Sequence, residues 1–342
     1  MNTQLIYLKT EHISETELQK AVKILQEDQC VAIPTETVYG LAANALSESA
    51  IKRIFEAKGR PSDNPLIVHV SNMDMLKRCI QQDLSNRITA IINAFWPGPL
   101  TLVFKKSTLI PNVVSAHLDT VGIRWPAHPI ALALIEASGF PLAAPSANVS
   151  GRPSPTKAEH VLHDLNGKIA GIIMAEQSVV GVESTVLDVS CEDFKVLRKG
   201  GVSLESLRSI DPLISYDDAL AHPELTPKSP GQKYKHYAPS KPMLALSGNI
   251  ESLVHHLQTM DLSQTLLISV DEILDQLNTP YQLTLGSYDN HEVAMNRLFD
   301  CLRASESLPV DAIVITGFED VGLGATLNDR IGKASSQKLT II

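Results

Sequence analysis

Val31-Ala-Ile-Pro-Thr-Glu-Thr-Val-Tyr-Gly-Leu41 and, one helix later, Ala57-Lys-Gly-Arg-Pro-Ser-Asp-Asn-Pro-Leu-Ile-Val-His-Val70 decide how this chain reads. Val31, Ala32 and Ile33 are a short apolar run stopped by Pro34, which suits the end of a buried strand. Thr35, Glu36, Thr37 and Tyr39 follow, and Gly40 permits a sharp turn. Ile51, Ile54 and Phe55 recur at helical spacing, so one face of the next element is apolar. Lys58 and Arg60 fall where that helix gives out, at Gly59 and Pro61, beside a strand over Leu66–Val70. The two cations read either as charges that favour a helix C-terminus or as an anion site, and the rest of the chain weighs on that choice.

Working outward, the length of 342 residues favours two domains over one. Hydrophobic residues are 44% and aromatics 5%, so the core is expected to be aliphatic, as in α/β domains. A net charge of −9 argues against a constitutive binder of nucleic acid or anionic membrane, but leaves room for a local basic pocket. Cys30, Cys79, Cys191 and Cys301 are scattered without a Cys-x-x-Cys pair, which argues against zinc and fits a reduced, cytoplasmic setting. The N-terminus lacks a signal-peptide core and no apolar run is long enough to span a bilayer.

Leu5–Leu8 reads as a first strand, and Ser14 with Glu17 makes a capping-box pattern ahead of Leu18, Val22 and Leu25. Helices are expected at Met73–Ile80, Ile88–Phe95, Ile130–Ala137, Lys157–Leu165 and Leu204–Ile210. Strands are expected at Leu100–Phe104, Val121–Pro126, Leu142–Ala144, Ile169–Met174, Ser184–Asp188 and Val196–Arg198, with Trp96-Pro-Gly-Pro99 a rigid turn. Mixed strands and helices predict a twisted α/β sheet. Residues 226–242 change character: they hold five prolines and glycines (Pro227, Pro230, Gly231, Pro239, Pro242), and no acid stands between Glu224 and Glu251. A tether is one reading. A lid over an anionic ligand is the other, for which Lys233-Tyr-Lys-His-Tyr237 argues. Beyond it, strands at Met243–Leu246, Leu266–Val270 and Ala312–Thr316 alternate with helices at Ile250–Leu257, Ile273–Leu277 and Glu292–Ala304, a βαβ rhythm. Gly322-Leu-Gly-Ala-Thr-Leu327 lacks the last glycine of a dinucleotide fingerprint and leaves no room for a following βαβ unit, so a nicotinamide site is rejected.

The chain lacks a P-loop, His-Glu-x-x-His, Gly-x-Ser-x-Gly and the kinase signatures. It carries instead polar residues where apolar strands end: Thr35, Lys58, Arg60, Asn64, His69, Arg124, Ser146, Asn148, Ser184 and Arg198. If these ends converge, four cations and several neutral donors suit a polyanion with a small polar molecule. Each has a plainer reading. Ser146 and Asn148 shape the Pro145 turn, His69 sits at a core edge, Arg124 makes a structural ion pair, and Arg198 ends a solvated strand. An RNA-binding module or a carbamoyl- or acyl-phosphate transferase would use a similar set; net charge and sparse aromatics count against the former.

These residues also carry a resemblance. Pro34–Gly40, Lys58-x-Arg60, Asn64–His69, Trp96–Thr101, Ser146-x-Asn148 and Gly181–Thr185 resemble the signature of the YrdC-like family, and Ser229–Pro239 resembles the linker of its longer two-domain branch, the L-threonylcarbamoyladenylate synthases, apart from Gln232 where Met is expected. The resemblance implies a YrdC-like twisted open sheet with helices over residues 1–212, a linker or lid over 213–241, and a small Rossmann-like parallel α/β domain over 242–342. It implies condensation of L-threonine, bicarbonate and ATP to threonylcarbamoyl-AMP and pyrophosphate, with Mg2+ carried on the phosphates. The product would feed a downstream tRNA threonylcarbamoyl-transfer machinery in the cytoplasm, without stable nucleic-acid or membrane binding. By the same resemblance Lys58, Arg60, Ser146 and Asn148 surround the reacting carbamoyl-phosphate region. Thr35, His69, Arg124, Ala144 and Ser184 hold threonine, and Asn64, Thr120, Ser154, Arg198 and Tyr237 contact the nucleotide beside Lys58, Arg60, Ser146 and Asn148. No general base stands out from the sequence.

Overall fold

The computed structural model describes residues 2–220, 237–336 and 339–342. Most of the linker, with Lys228, Gln232, Lys233, Tyr234, Lys235 and His236, lies outside them. The described residues form two compact units; the second takes in Gly151–Ser154, Val180–Val182 and the residues from 237 onward, and the first holds the remainder.

In the first unit the strands are β1 (Gln4–Tyr7), β2 (Val31–Ile33), β3 (Gly40–Asn44), β4 (Ile67–His69), β5 (Leu100–Lys105), β6 (Thr120–Arg124), β7 (Leu142–Ala143), β8 (Gly171–Met174), β9 (Thr185–Asp188), β10 (Lys195–Arg198) and β11 (Ser215–Tyr216). They make an 11-stranded mixed sheet in the order β1-β8-β2-β3-β7-β4-β6-β5-β9-β10-β11. Its central strands are buried on both faces, as their continuous apolar runs predict: every residue of β2 is buried, and Leu100, Leu102 and Phe104 of β5 are fully covered. Helices α1 (Glu15–Gln26), α2 (Glu48–Lys58), α3 (Met73–Cys79), α4 (Asn86–Phe95), α5 (Pro129–Ser138), α6 (Ala158–Leu165) and α7 (Leu204–Arg208) carry apolar faces into the same core, α1 against α5.

Local chemistry explains the helix ends. The Ser14 hydroxyl accepts from the Glu17 amide, as the capping-box pattern predicts, and Ser47 accepts from Ala50 at 3.3 Å to start α2. Helix α2 stops at Gly59, whose φ of +61° is the left-handed conformation that a glycine adopts without strain. This holds Lys58 on the last helical turn and turns Arg60 back toward the strand that follows.

Gly40 is not where the chain turns. It opens β3, paired with Ile33 across an antiparallel hairpin whose connection is residues 34–39. A side chain at Gly40 would bring a Cβ to 3.2 Å from that of Ala144, so the glycine serves close strand packing.

The second unit is a five-stranded sheet of β12 (Met243–Ser247), β13 (Thr265–Ser269), β14 (Gln282–Thr284), β15 (Ala312–Thr316) and β16 (Thr340–Ile341), in the order β14-β13-β15-β12-β16 with every pairing parallel. Its helices are α8 (Ile250–Gln258), α9 (Asp271–Leu274), α10 (His291–Ala304) and α11 (Gly322–Ser335). Helix α9 starts and ends earlier than the Ile273–Leu277 expectation. The Gly322–Leu327 segment is the opening of α11, a helix the sequence reading left out. Short strands β11, β14 and β16 also escaped it, because two or three residues carry no measurable period.

Candidate active site

The hairpin connection is built by its own threonines. Thr35 Oγ1 donates to the Val38 carbonyl at 2.6 Å and accepts from the amides of Thr37 and Val38 at 3.3 Å, and it lies 2.9 Å from Thr37 Oγ1. Thr37 in turn accepts from Arg124 Nη1 at 2.8 Å. The loop is thereby tied to the end of β6, and the hydroxyl of Thr35 is committed to the loop's shape.

Pairing register shows how the candidate residues are distributed. At one level of the sheet, His69, Arg124, Thr101, Leu142 and Asn44 stand side by side on β4, β6, β5, β7 and β3. Ser146 pairs instead with Gly40, four residues along β3 from Asn44, or ~13 Å at the usual rise of a strand. The candidate strand ends therefore do not meet at one edge. They form two groups along the sheet, linked by the 34–39 connection and the long Arg124 side chain.

The first group centres on Lys58, which is 2% exposed. Its Nζ donates to the carbonyls of Ser146 at 2.5 Å and Asn148 at 2.6 Å, and lies 3.5 Å from Asn148 Oδ1. The Ser150 amide returns a bond to the Lys58 carbonyl at 2.9 Å. Lysine and the Ser-x-Asn loop are thus a single locked piece. Arg60, half-buried, donates through Nη2 to the carbonyls of Asn64 and Pro65 at 3.3 and 3.0 Å. Asn64 is buried, Thr120 is half-buried at the start of β6, and the Ala144 amide bonds the Ile67 carbonyl at 3.0 Å.

The second group holds His69, Arg124, Ser184 and Arg198, all buried. Arg198 holds the Ser184 carbonyl through Nε and Nη2 at 3.1 and 2.8 Å and reaches its hydroxyl at 3.1 Å; that hydroxyl also lies 2.7 Å from Thr101 Oγ1. Arg124 donates through Nε to the Gly98 carbonyl at 3.3 Å, at the turn that begins with the cis Trp96–Pro97 bond, and its Nη2 stands 2.7 Å from Glu36 Oε1. The plainer reading of Arg124, an ion pair, is therefore present in the structure. Burial first and the Arg124 guanidinium second hold His69 neutral, with its pKa pushed down to about 3 against a smaller opposing effect of the Ile67 and Leu142 backbone. Its Nδ1 has no hydrogen bond of ordinary geometry. A neutral imidazole here can donate to or accept from a hydroxyl without adding charge.

Ser154 and Tyr237 belong to the second unit. There Tyr237 is buried at a φ of +63°, with its ring 5.0 Å from that of Phe299 and under the Arg330 guanidinium at 5.4 Å. The sequence reading passed over Glu36, Thr37, Thr101 and His128. Glu36, Thr37 and Thr101 lay inside quoted motifs; an acid at the mouth of an apolar strand was the available signal. Cys30 and Cys79 are pushed up to about 12 and about 11 by burial, which removes both as thiolate nucleophiles. Among the described residues no cluster of His, Cys, Asp and Glu could hold a metal ion, and no helix is long and apolar enough to cross a membrane.

Two family models cover the chain: one described as "Telomere recombination" matches residues 23–200, and one described as "Threonylcarbamoyl-AMP synthase, C-terminal domain" matches residues 202–336. The chain is 41% identical over 330 residues to the threonylcarbamoyl-AMP synthase of Bacillus subtilis, covering 95% of each protein. It is 40% identical over 339 residues to that of Pyrococcus abyssi, covering 96% of this chain and 97% of the relative. The crystal structure of P. abyssi Sua5 complexed with L-threonine superposes with a TM-score of 0.91 at 40% identity, covering 99% of this chain and all of that one. This chain is a member of the threonylcarbamoyl-AMP synthase family.

Proposed function

We propose that this protein condenses L-threonine, bicarbonate and ATP into threonylcarbamoyl-AMP with release of pyrophosphate, as an ATP-using nucleotidyltransferase acting in tRNA threonylcarbamoyladenosine formation. The observation that carries the reading is the whole-length likeness to a protein whose structure holds L-threonine, with Lys58, Arg124 and Arg198 buried among neutral donors of the candidate set. In this reading residues 1–212 are the catalytic domain, 213–241 the linker and 242–342 a C-terminal domain.

Threonine's amine forms a carbamate with the bicarbonate carbon, and a carbamate oxygen attacks the α-phosphorus of ATP. Negative charge grows on the phosphate oxygens and the departing pyrophosphate, so fixed cations act most strongly in the transition state. Lys58 and Arg60, with Ser146 and Asn148, are the groups we assign to that region. Lys58 already holds the Ser146 and Asn148 carbonyls, so its charge and the loop's position are set together. Arg124 is the clamp for the threonine carboxylate, neutral His69 the partner of its hydroxyl, and Thr35, Ala144 and Ser184 are assigned to threonine with them. Asn64, Thr120 and Arg198 are assigned to the nucleotide. Mg2+ would ride on the ATP phosphates, which suits its preference for phosphate oxygens and water. Cytoplasmic location and hand-over to a tRNA threonylcarbamoyl-transfer machinery belong to the same proposal.

Pyrophosphate release from ATP and magnesium, measured with and without threonine and bicarbonate, tests it. Release that requires both supports the synthase. Release without threonine points to another acceptor, and no release from folded protein overturns the reading.

A further inference from the structure

Glu36 sits on the loop between β2 and β3 and is 8% exposed. Neither carboxylate oxygen has a hydrogen-bond partner among the described residues. Among the described residues its one ion pair is with Arg124 Nη2 at 2.7 Å, and that contact lacks hydrogen-bond geometry, since Nη2 has no hydrogen-bond partner. The other Arg124 nitrogens are engaged, Nη1 by Thr37 and Nε by the Gly98 carbonyl. His128, also 8% exposed, is close enough to feel the Glu36 charge, and its Nδ1 is unpartnered too. A pair kept only for stability closes into directed, often bidentate bonds. An under-satisfied buried carboxylate is costly, and it is retained where a ligand completes it.

The ligand that completes this pair carries a cation with several N–H donors and an anion close by. An α-amino acid carries both on one carbon. On the reading of the preceding subsection, we propose that Glu36 receives the threonine ammonium while Arg124 receives its carboxylate, and that Glu36 then accepts the proton the nitrogen must shed. The N–H bond breaks and its proton passes to a Glu36 carboxylate oxygen. The freed lone pair forms the N–C bond to the bicarbonate carbon. The carbon–hydroxyl bond breaks, and the hydroxide leaves as water with a second proton from nitrogen. The product carbamate carries one negative charge, and Glu36 is left as the acid. This supplies the general base that the sequence motifs do not reveal.

Calorimetric binding of L-threonine and of 3-hydroxybutyrate, which lacks the ammonium group, to the full-length protein tests the assignment, together with turnover at saturating threonine. Wild type should prefer threonine by on the order of 10²-fold. Glu36→Gln should lose that preference through weaker threonine binding alone, keep ATP binding, and turn over about 10²-fold more slowly when saturated. Wild-type threonine affinity and turnover in Glu36→Gln would overturn the proposal. Equal affinity of the wild type for the two ligands would overturn it without any variant, should Glu36→Gln fail to fold. A wild type that binds neither ligand removes the threonine reading itself.

Discussion

His69 makes the first unit's stability depend on pH in a way that one substitution isolates. Its pKa falls from 6.5 to about 3 in the folded protein. Below the unfolded value the unfolded chain therefore takes up a proton that the folded chain refuses. The stability due to a neutral His69 is fully present above about pH 6.5 and is lost as pH falls toward the folded value, at about 1.4 kcal/mol per pH unit. Near pH 5 the loss is about 2 kcal/mol, and a folded pKa anywhere well below 5 gives the same figure. His69→Asn removes this titration, whatever it does to stability at neutral pH. Other titrating groups, His128 among them, act in both proteins and cancel in the comparison. Both tryptophans, Trp96 and Trp125, lie in the first unit, so their emission follows its unfolding in urea. For a urea dependence of ~2–3 kcal/mol per M, the wild-type midpoint should fall by just under 1 M more than the variant's between pH 7.5 and pH 5. Parallel falls in the two proteins would refute the claim that His69 is held neutral by burial and Arg124.

Lys58→Ala should lower pyrophosphate-releasing turnover by roughly 10²–10³ at saturating substrates, the scale for one transition-state donor; wild-type turnover would remove it from the site. Thr37→Val takes the acceptor from Arg124 Nη1 and the contact from the Thr35 hydroxyl, and should destabilise the first unit by about 1–3 kcal/mol in urea unfolding. Gly200→Ala would drive a Cβ into the Ser184 carbonyl carbon and the Thr185 amide nitrogen, so it should cost about 3 kcal/mol or more and displace Ser184. A soluble variant with an unchanged melting point would contradict that packing.

Much of the fold was legible because long elements announce themselves. The Ser14 cap, the apolar face of α2, its stop at Gly59, and the βαβ rhythm after Pro242 are local signals, and the structure holds each where the residues put it. Gly40 was misread because a glycine allows both a turn and a close strand contact, and only the position of Ala144, more than a hundred residues on, selects the second. Helix α11 was obscured by its three glycines, Gly322, Gly324 and Gly332, which weaken helix propensity.

The candidate residues show the same division. Their types and order could be read from one dimension, because each motif is a few contiguous residues. Their partners could not. Lys58 reaches carbonyls 88 and 90 residues away, Arg124 reaches Thr37 across 87, and Ser184 meets Thr101 across 83. The sequence by itself determined which chemistry the chain carries: cations, hydroxyls and an imidazole at the ends of apolar strands. Only the tertiary structure decided that Thr35 is engaged by its own loop, that the strand ends fall into two groups along the sheet, and that Glu36 stands against Arg124 without a directed bond. Propensity and capping act within a turn or two of the chain, whereas burial and charge pairing depend on which distant segments the sheet brings into register.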